Sequence, residues 1–426
     1  MSSLYPVTDA RYECPRCGRA LDAAGWLIPG MRILADLRCR GCGASYYGDL
    51  PTGHALLYPT LLDCKTGRTI AGHAAPWFAD WLEQGYARRV TEAPPLRVER
   101  LRPVRTAILL DCLDALYGHT LLKLLGAQQY LDQPGVAGLV VLVPQTLRWL
   151  VPDGVAEVWT VDLPLSRGTE WNDGLAAALD PLVRGFDSVS VAAGLPHPHP
   201  DDVDIERFSR VSPFPLAEWG ARLADPTVTF AWREDRVWES GSRHRLTERG
   251  PRSRRAARAR QERRVEQLAA ALRAEFPRLR LAVAGLGEAG GLDARIDDRR
   301  SAGVDDELER SWCRLYAESH VVVGVHGSNL LLPSAHAGAV VDLMPEDRWG
   351  NALQDLLVRG SDAREAAFRT RLLPLSTGVS EVAAAVAALL ADHEAMRVAF
   401  AREWTTLDPE RLRALPDARE RARRRG

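Results

Sequence analysis

An α/β protein with two Rossmann-like domains and an N-terminal zinc ribbon is the fold class this sequence predicts. Three observations carry the expectation. Two C-x-x-C pairs stand near the N-terminus, two separate regions alternate apolar strand-like runs with helical ones, and a proline-rich stretch divides those regions. At roughly 100–200 residues per domain, a length of 426 residues also requires more than one core.

Composition narrows the class. The apolar fraction of 46% is that of a globular chain, and 55 basic residues nearly cancel 56 acidic ones, so nothing marks the chain as a whole for nucleic acid or an anionic membrane. The opening MSSLYPVTDARYECPRC is too polar for a secretory signal, which makes a cytoplasmic chain the expectation. Seven cysteines, four of them in the C-x-x-C pairs, point to a reducing compartment and a metal. Cys64, Cys112 and Cys313 are expected to be ordinary buried thiols.

The elements follow in order. Residues 1–50 form the ribbon, where Cys14, Cys17, Cys39 and Cys42 converge on one structural zinc and Gly18 and Gly43 let the backbone turn back toward the sulfurs. Four thiolates complete a tetrahedral shell, so this metal has no catalytic position. Residues 51–102 read as an aromatic, proline-spotted connecting subdomain ending at the Ala93–Pro95 turn. Residues 103–205 form the first Rossmann-like domain: RTAILLDCLD and GLVVLVP are strands, GHTLLKLLGAQQYLDQ is one helix with Thr120 near its cap, and VAEVWTVDLP, WNDGLAAALDPLVRGF and DSVSVA continue the alternation.

A linker follows at 206–226. Just before it, HPHPDD (197–202) imitates a metal cluster, but its alternating prolines predict an extended solvent loop. Residues 227–375 form the second domain, with strands TVTFAWRED, LRLAVAGLG, HVVVGVHG and AVVDLMP, a long arginine-rich helix and the helix DELERSWCRLYAES. Residues 376–426 are terminal helices and a basic tail. Two such domains in tandem predict a ligand-holding cleft.

The stretch 321–343, VVVGVHGSNLLLPSAHAGAVVDL, has the length of a membrane span, yet its glycines, proline and histidines contradict one. A strand delivering His326-Gly327-Ser328-Asn329 to the carboxyl edge of a sheet, followed by a helix start, fits better. There Gly324 and Gly327 would admit a ligand close to the backbone, and amides at a helix start would favour a diphosphate, with His326, Ser328 and Asn329 adding donors. A tight turn around a hydrogen-bonded histidine is the alternative. Arg233, at the end of the domain's first strand, would grip phosphate in bidentate fashion with Arg236 behind it, and Asp342, with Glu346 beside it, would hold ribose or sugar hydroxyls. The run RGPRSRRAARARQERR (249–264) reads as a solvated helix beginning, or as a surface for a polyanionic or lipid-linked acceptor and peripheral membrane contact.

Residues 316–345, YAESHVVVGVHGSNLLLPSAHAGAVVDLMP, resemble the donor-site segment of glycosyltransferase family 61 and its relatives: a strand, then G-x-H-G-A-G, then an acidic strand end before proline. The resemblance extends over 228–373, while 105–193 agrees in architecture alone. It implies the GT-B fold, with a nucleotide-sugar donor held mainly by the C-terminal domain and transferred, with inversion, to a saccharide, lipid-linked or protein acceptor. Nucleic acid is not an expected partner, and no DxD-like pair at a strand end asks for a catalytic divalent ion. In inverting enzymes of this fold the N-terminal domain often supplies the base; here His119 is the first candidate and Asp111 the second, in DCLDALYGHTLL, which also holds Asp114 and Tyr117. Simple packing at the helix start is the other role open to His119.

Three departures from the pattern are visible. Ser328-Asn329 stands where Ala-Gly is usual, Leu331-Leu332 replaces a Ser/Thr-Asn pair, and the ribbon is foreign to the family. Two other functions remain open: a binding module that uses the ribbon and the arginine run on nucleic acid or protein, and a nucleotide-sugar epimerase of similar architecture.

Overall fold

The computed structural model describes residues 1–71, 75–133, 137–194, 203–240, 245, 250–359 and 363–399. The HPHPDD stretch and the basic tail lie outside them. The chain divides into unit 1, Met1–Arg210, and unit 2, Val211–Gly426. The fold class is the one expected: two Rossmann-like sheets, and four cysteines clustered in an antiparallel sheet.

Unit 1 opens with β1 (Ser2–Tyr5) and continues through β2 (Tyr12–Glu13), β3 (Ala20–Leu27), β4 (Leu34–Arg38), β5 (Ser45–Asp49), β6 (Thr60–Asp63) and β7 (Thr69–Ala71). Strands β2 to β7 pair in sequence order as one antiparallel sheet. That sheet runs straight across residue 50, so the ribbon and the start of the connecting subdomain share a single structure. Buried Arg32 joins them: its Nη1 donates to both Asp49 oxygens, at 2.9 and 2.7 Å, while the guanidinium lies over the Phe78 ring and Nη2 donates to the Phe78 carbonyl in α1 (Pro76–Ala87).

The first Rossmann-like sheet contains β8 (Leu96–Arg100), β9 (Thr106–Asp111), β10 (Gly138–Pro144), β11 (Glu157–Val161) and β12 (Ser188–Val191). Its order is β1-β12-β9-β10-β11-β8, parallel in the middle, with β1 and β8 antiparallel at the two edges. The inner strands read as apolar runs because both faces are covered, and β10 is buried at every position. The helices are α2 (Tyr117–Leu125), α3 (Ala127–Leu131), α4 (Asp173–Val183) and α5 (Ile205–Ser209).

Where one helix was expected over 118–133, Gly126 separates two. Its amide turns back to the Lys123 and Leu124 carbonyls, and glycine is a poor helix former. Nor does Thr120 cap the first. It lies inside α2, wholly buried, while Asp114 Oδ1 takes the amides of Ala115 and Leu116 ahead of the helix.

Unit 2 contains α6 (Trp219–Arg222), β13 (Thr227–Trp232), α7 (Pro251–Glu275), β14 (Arg280–Leu286), β15 (Asp297–Ser301), α8 (Asp306–Glu318), β16 (Val321–Val325), α9 (Leu331–His336), β17 (Ala339–Met344), α10 (Ala363–Arg369), β18 (Thr370–Pro374) and α11 (Val379–Ala399). Its sheet is parallel throughout, in the order β15-β14-β13-β16-β17-β18. Counted along the chain this is 3-2-1-4-5-6, the dinucleotide-fold order, whose direction reverses between β13 and β16. The core packs the apolar faces of β13, β14, β16 and β17 against α7 and α11. Among the described residues no helix is long and apolar enough to cross a membrane. The stretch 321–343 is β16, a turn, α9 and β17.

Candidate functional site

In open sheets of this order ligands bind at the carboxyl ends of the strands where the order reverses, here β13 and β16. The residues leaving those ends are Trp232-Arg233 and Val325-His326-Gly327, so the sequence-predicted positions meet at the switch point of unit 2. Arg233 Nη1 donates to the His326 carbonyl at 2.8 Å and to Asn329 Oδ1 at 2.7 Å. Arg236 Nη1 donates to the same carbonyl at 3.1 Å. Gly327 (φ 143, ψ 175) passes directly beneath the Arg233 guanidinium, where a Cβ would collide with it. Only glycine adopts this backbone readily.

Several side chains hold posts other than those expected. Arg233 meets Asp235 in bidentate fashion, at 2.6 Å to each oxygen, so its fork is a clasp between two loops. Arg236 is the better placed cation. Its guanidinium makes one hydrogen bond among the described residues, and burial, with Arg233 and Arg348 nearby, pushes its pKa down to about 10. A half-buried guanidinium beside other arginines is what an incoming polyanion would stabilise. Asn329 Nδ2 is buried without a hydrogen-bond partner among the described residues, which leaves a donor at the same turn.

The His326 side chain is turned into the protein. It is 1% exposed, with Nδ1 2.8 Å from Asp342 Oδ2 and Nε2 3.4 Å from Asp355 Oδ2. Asp342, expected at a strand end for sugar hydroxyls, lies inside β17 opposite Gly324 and is wholly buried. Burial raises its pKa, against His326, which lowers it. Together the pair orients the His326 backbone, whose carbonyl receives both arginines. Gly324 makes room for protein rather than ligand: a Cβ there would stand 2.7 Å from Leu330 Cδ2. The expected helix N-terminus is also slight, a three-residue 3-10 turn, Ser328–Leu330, leading into the six residues of α9. Ser328 is half-buried, and Glu346 is exposed just past β17.

The first sheet has a switch point of its own between β9 and β12. Asp111 ends β9, and His119 lies in the first turn of α2. Asp111 is buried, accepts from the Leu113 amide at 2.9 Å and has no hydrogen-bond partner on Oδ2 among the described residues. Burial, against the lowering effect of Lys123 and the Leu113 amide, pushes its pKa up to about 7.

His119 Nδ1 lies 3.2 Å from Asp114 Oδ1 and 3.0 Å from His54 Nε2. Lys123, also buried, places its ammonium 2.9 Å from Asp114 Oδ2 and donates to the Leu113 carbonyl at 2.8 Å. Burial opposes ionisation of Asp114, but Lys123 and His119 more than offset it and hold the carboxylate well below its usual range. His54 and Lys123 were missed by sequence reasoning. His54 enters from the connecting region on a 3-10 turn, Gly53–Leu56, docked on the end of β12 by the Gly53 amide to the Ala193 carbonyl at 2.8 Å.

The four cysteines form the third cluster. Cys14 and Cys42 Sγ are 3.6 Å apart, and Cys17 and Cys39 Sγ 3.5 Å. A tetrahedron with metal–sulfur bonds of about 2.3 Å has edges of about 3.8 Å, so the four sulfurs fit one ion. The Gly18 and Gly43 amides close the knuckles onto the Cys14 and Cys39 carbonyls, each at 2.9 Å, with φ of 69° and 73°.

No family model and no curated protein matches the chain, so the family 61 resemblance stands on its motif. Solved structures similar to it include the E. coli ADP-heptose lipopolysaccharide heptosyltransferase II, at 13% identity, covering 68% of this chain and 99% of that one with a TM-score of 0.37. The E. coli heptosyltransferase WaaC with ADP is another, at 14% identity, the same coverages and the same TM-score.

Proposed function

We propose that the chain is a glycosyltransferase that takes its donor, a nucleotide-diphosphate sugar, at the switch point of unit 2. One observation carries this: half-buried Arg236, with a single hydrogen bond among the described residues, stands beside the Arg233 clasp at the carboxyl edge of a 3-2-1-4-5-6 sheet. Such an edge receives nucleotides, and cations fixed there stabilise the diphosphate both as ligand and as leaving group. The motif in 316–345 and the tandem Rossmann-like sheets agree with it. Arg236 contacts phosphate, Asn329 and Ser328 add donors from the turn, and Glu346 is the carboxylate exposed enough to meet a hydroxyl. The acceptor's proton goes to a group of unit 1, for which His119 and Asp111 are the candidates, and the structural ion of the four cysteines is zinc.

The arginine run favours this assignment over a nucleic-acid module. Arg258, Arg260 and Arg264 turn back onto Glu234, Glu239 and the Trp238 carbonyl, so part of the charge is used within unit 2.

A thermal-shift panel of UDP-, GDP-, CMP- and TDP-sugars tests the proposal. A ligand at 100 times its Kd stabilises the folded state by about 2.7 kcal/mol. One nucleotide class should raise the Tm of the wild type, and Arg236→Met should abolish that shift while leaving the ligand-free Tm within a few degrees. A panel in which no sugar nucleotide stabilises the protein would sink the assignment. Inversion, expected from the resemblance, is read from the anomeric configuration of the product.

A further inference from the structure

We infer that His54, Asp114 and His119 hold a divalent transition-metal ion at the switch point of the first sheet. The sequence reading expected no such ion, and His54 lies 65 positions from His119. The inference stands on unit 1 alone, whatever unit 2 binds.

The distances come first. His54 Nε2 to His119 Nδ1 is 3.0 Å, His119 Nδ1 to Asp114 Oδ1 is 3.2 Å, and His54 Nε2 to Asp114 Oδ2 is 3.8 Å. For ligand bonds of about 2.0–2.1 Å a tetrahedral edge is about 3.3 Å, close to the two contacts of His119 Nδ1, while His54 meets Asp114 at 3.8 Å through its other oxygen. Two imidazoles and a carboxylate converge as three corners of one coordination shell.

Proton bookkeeping is the second observation. His119 Nδ1 carries either one hydrogen or one lone pair, yet it faces a carboxylate oxygen and another imidazole nitrogen at hydrogen-bond range. Without an ion, Nδ1 satisfies only one neighbour well: as donor to Asp114 it leaves His54 without a hydrogen of its own, and as acceptor from His54 it meets the carboxylate lone pair to lone pair. A metal ion among the three atoms accepts all their lone pairs at once.

The surroundings supply the rest. Lys123 pairs with Asp114 Oδ2 and fixes the carboxylate with Oδ1 toward His119, the outer support that ligating carboxylates commonly have. His54 and Asp114 are buried, while the His119 side chain is 23% exposed, so the cluster has one open flank. Three protein ligands with an open fourth position distinguish this site from the closed shell of the cysteines. Nitrogen and oxygen donors suit Zn2+, Fe2+ or Co2+. With an ion bound, His119 is a ligand, and Asp111 is left as the candidate base.

The full chain, purified without added metal or chelator and with the four cysteines loaded with zinc, is titrated with Co2+. Two signatures are expected: one further equivalent per chain with weak visible bands and no thiolate charge-transfer band, and quenching of tryptophan fluorescence, because Trp77 stands edge-on to His54 at 5.3 Å. His119→Gln and Asp114→Asn should each weaken uptake by at least about tenfold with far-UV circular dichroism unchanged. No uptake beyond the cysteine site overturns the inference, as does uptake that both substitutions leave unaltered. If a variant fails to fold, the stoichiometry and band type of the wild type still decide. Cobalt uptake without any nucleotide-induced Tm shift would fault the donor assignment alone, and the reverse would fault the metal alone.

Discussion

At Gly327 a single methyl group tests the unit 2 site. Its φ of 143 with ψ of 175 belongs to a region essentially closed to side chains, and an added Cβ would displace the Arg233 guanidinium. Gly327→Ala should therefore lower stability by about 1–3 kcal/mol. It should also abolish any sugar-nucleotide Tm shift, because the Arg233 and Arg236 bonds to the His326 carbonyl would both be disturbed. A variant that melts like the wild type and keeps its ligand shift would show that the clasp has no part in the site. That Arg233 and His326 meet here was legible in the sequence, since each leaves the end of an apolar strand. Their roles were not. Asp235 takes the Arg233 fork, and Asp342 and Asp355 enclose His326, and such pairings depend on three-dimensional neighbours that no spacing rule supplies.

At the scale of elements, legibility follows how local the cause is. The cysteine knuckles were readable because two residues and a glycine determine each one. Strand β15, DDRRS, was not, because its charges are satisfied along the strand and by α7: Arg300 pairs with Asp298 and Glu262 while lying 4.4 Å over the Trp232 ring. The antiparallel sheet β2 to β7 yields the prediction at this scale. Structural zinc sites bind with about 10 kcal/mol or more, so the knuckles should depend on the ion. Cys17→Ser, or strong chelation of the wild type, should release zinc to a colorimetric chelator. Amide exchange should then rise most in β2 to β5, which carry the knuckles, and less in the parallel strands β9 to β12, which share a core with that sheet but supply no cysteine ligand. Unchanged exchange in the knuckle strands after zinc release would show that the sheet holds itself.

At the scale of the molecule, the strand order was only partly legible. Alternation predicted parallel sheets, but the edge strands β1 and β8 are short and half-polar, and their partners are chosen by tertiary packing. The two units also differ in how they bury titratable groups, and this sets the last prediction. In unit 2 burial shifts three of the enclosed histidines, His320 and His336 down to about 4 and His393 to about 3. Unfolded, each titrates near 6.5. Their contribution is thus intact above pH 6.5 and lost as the pH falls from 6.5 through 4, because the unfolded chain gains protons that the native one refuses. With three such groups the slope reaches at most about 4 kcal/mol per pH unit. Burial raises the pKa values of Asp49 and Asp111 in unit 1 and of Asp342 in unit 2, so mild acid favours the folded form at each of them, but in unit 2 the three histidines oppose it. Unit 2 should therefore open first on acidification, seen as amide exchange rising in β13 to β18 before β9 to β12. His393 stacks on Trp219 at 4.0 Å, so His393→Phe keeps a ring in place while removing one titration. It should reduce the slope of unfolding free energy against pH by about a third between pH 6.5 and 4. An unchanged slope would mean that acid reaches unit 2 by another route.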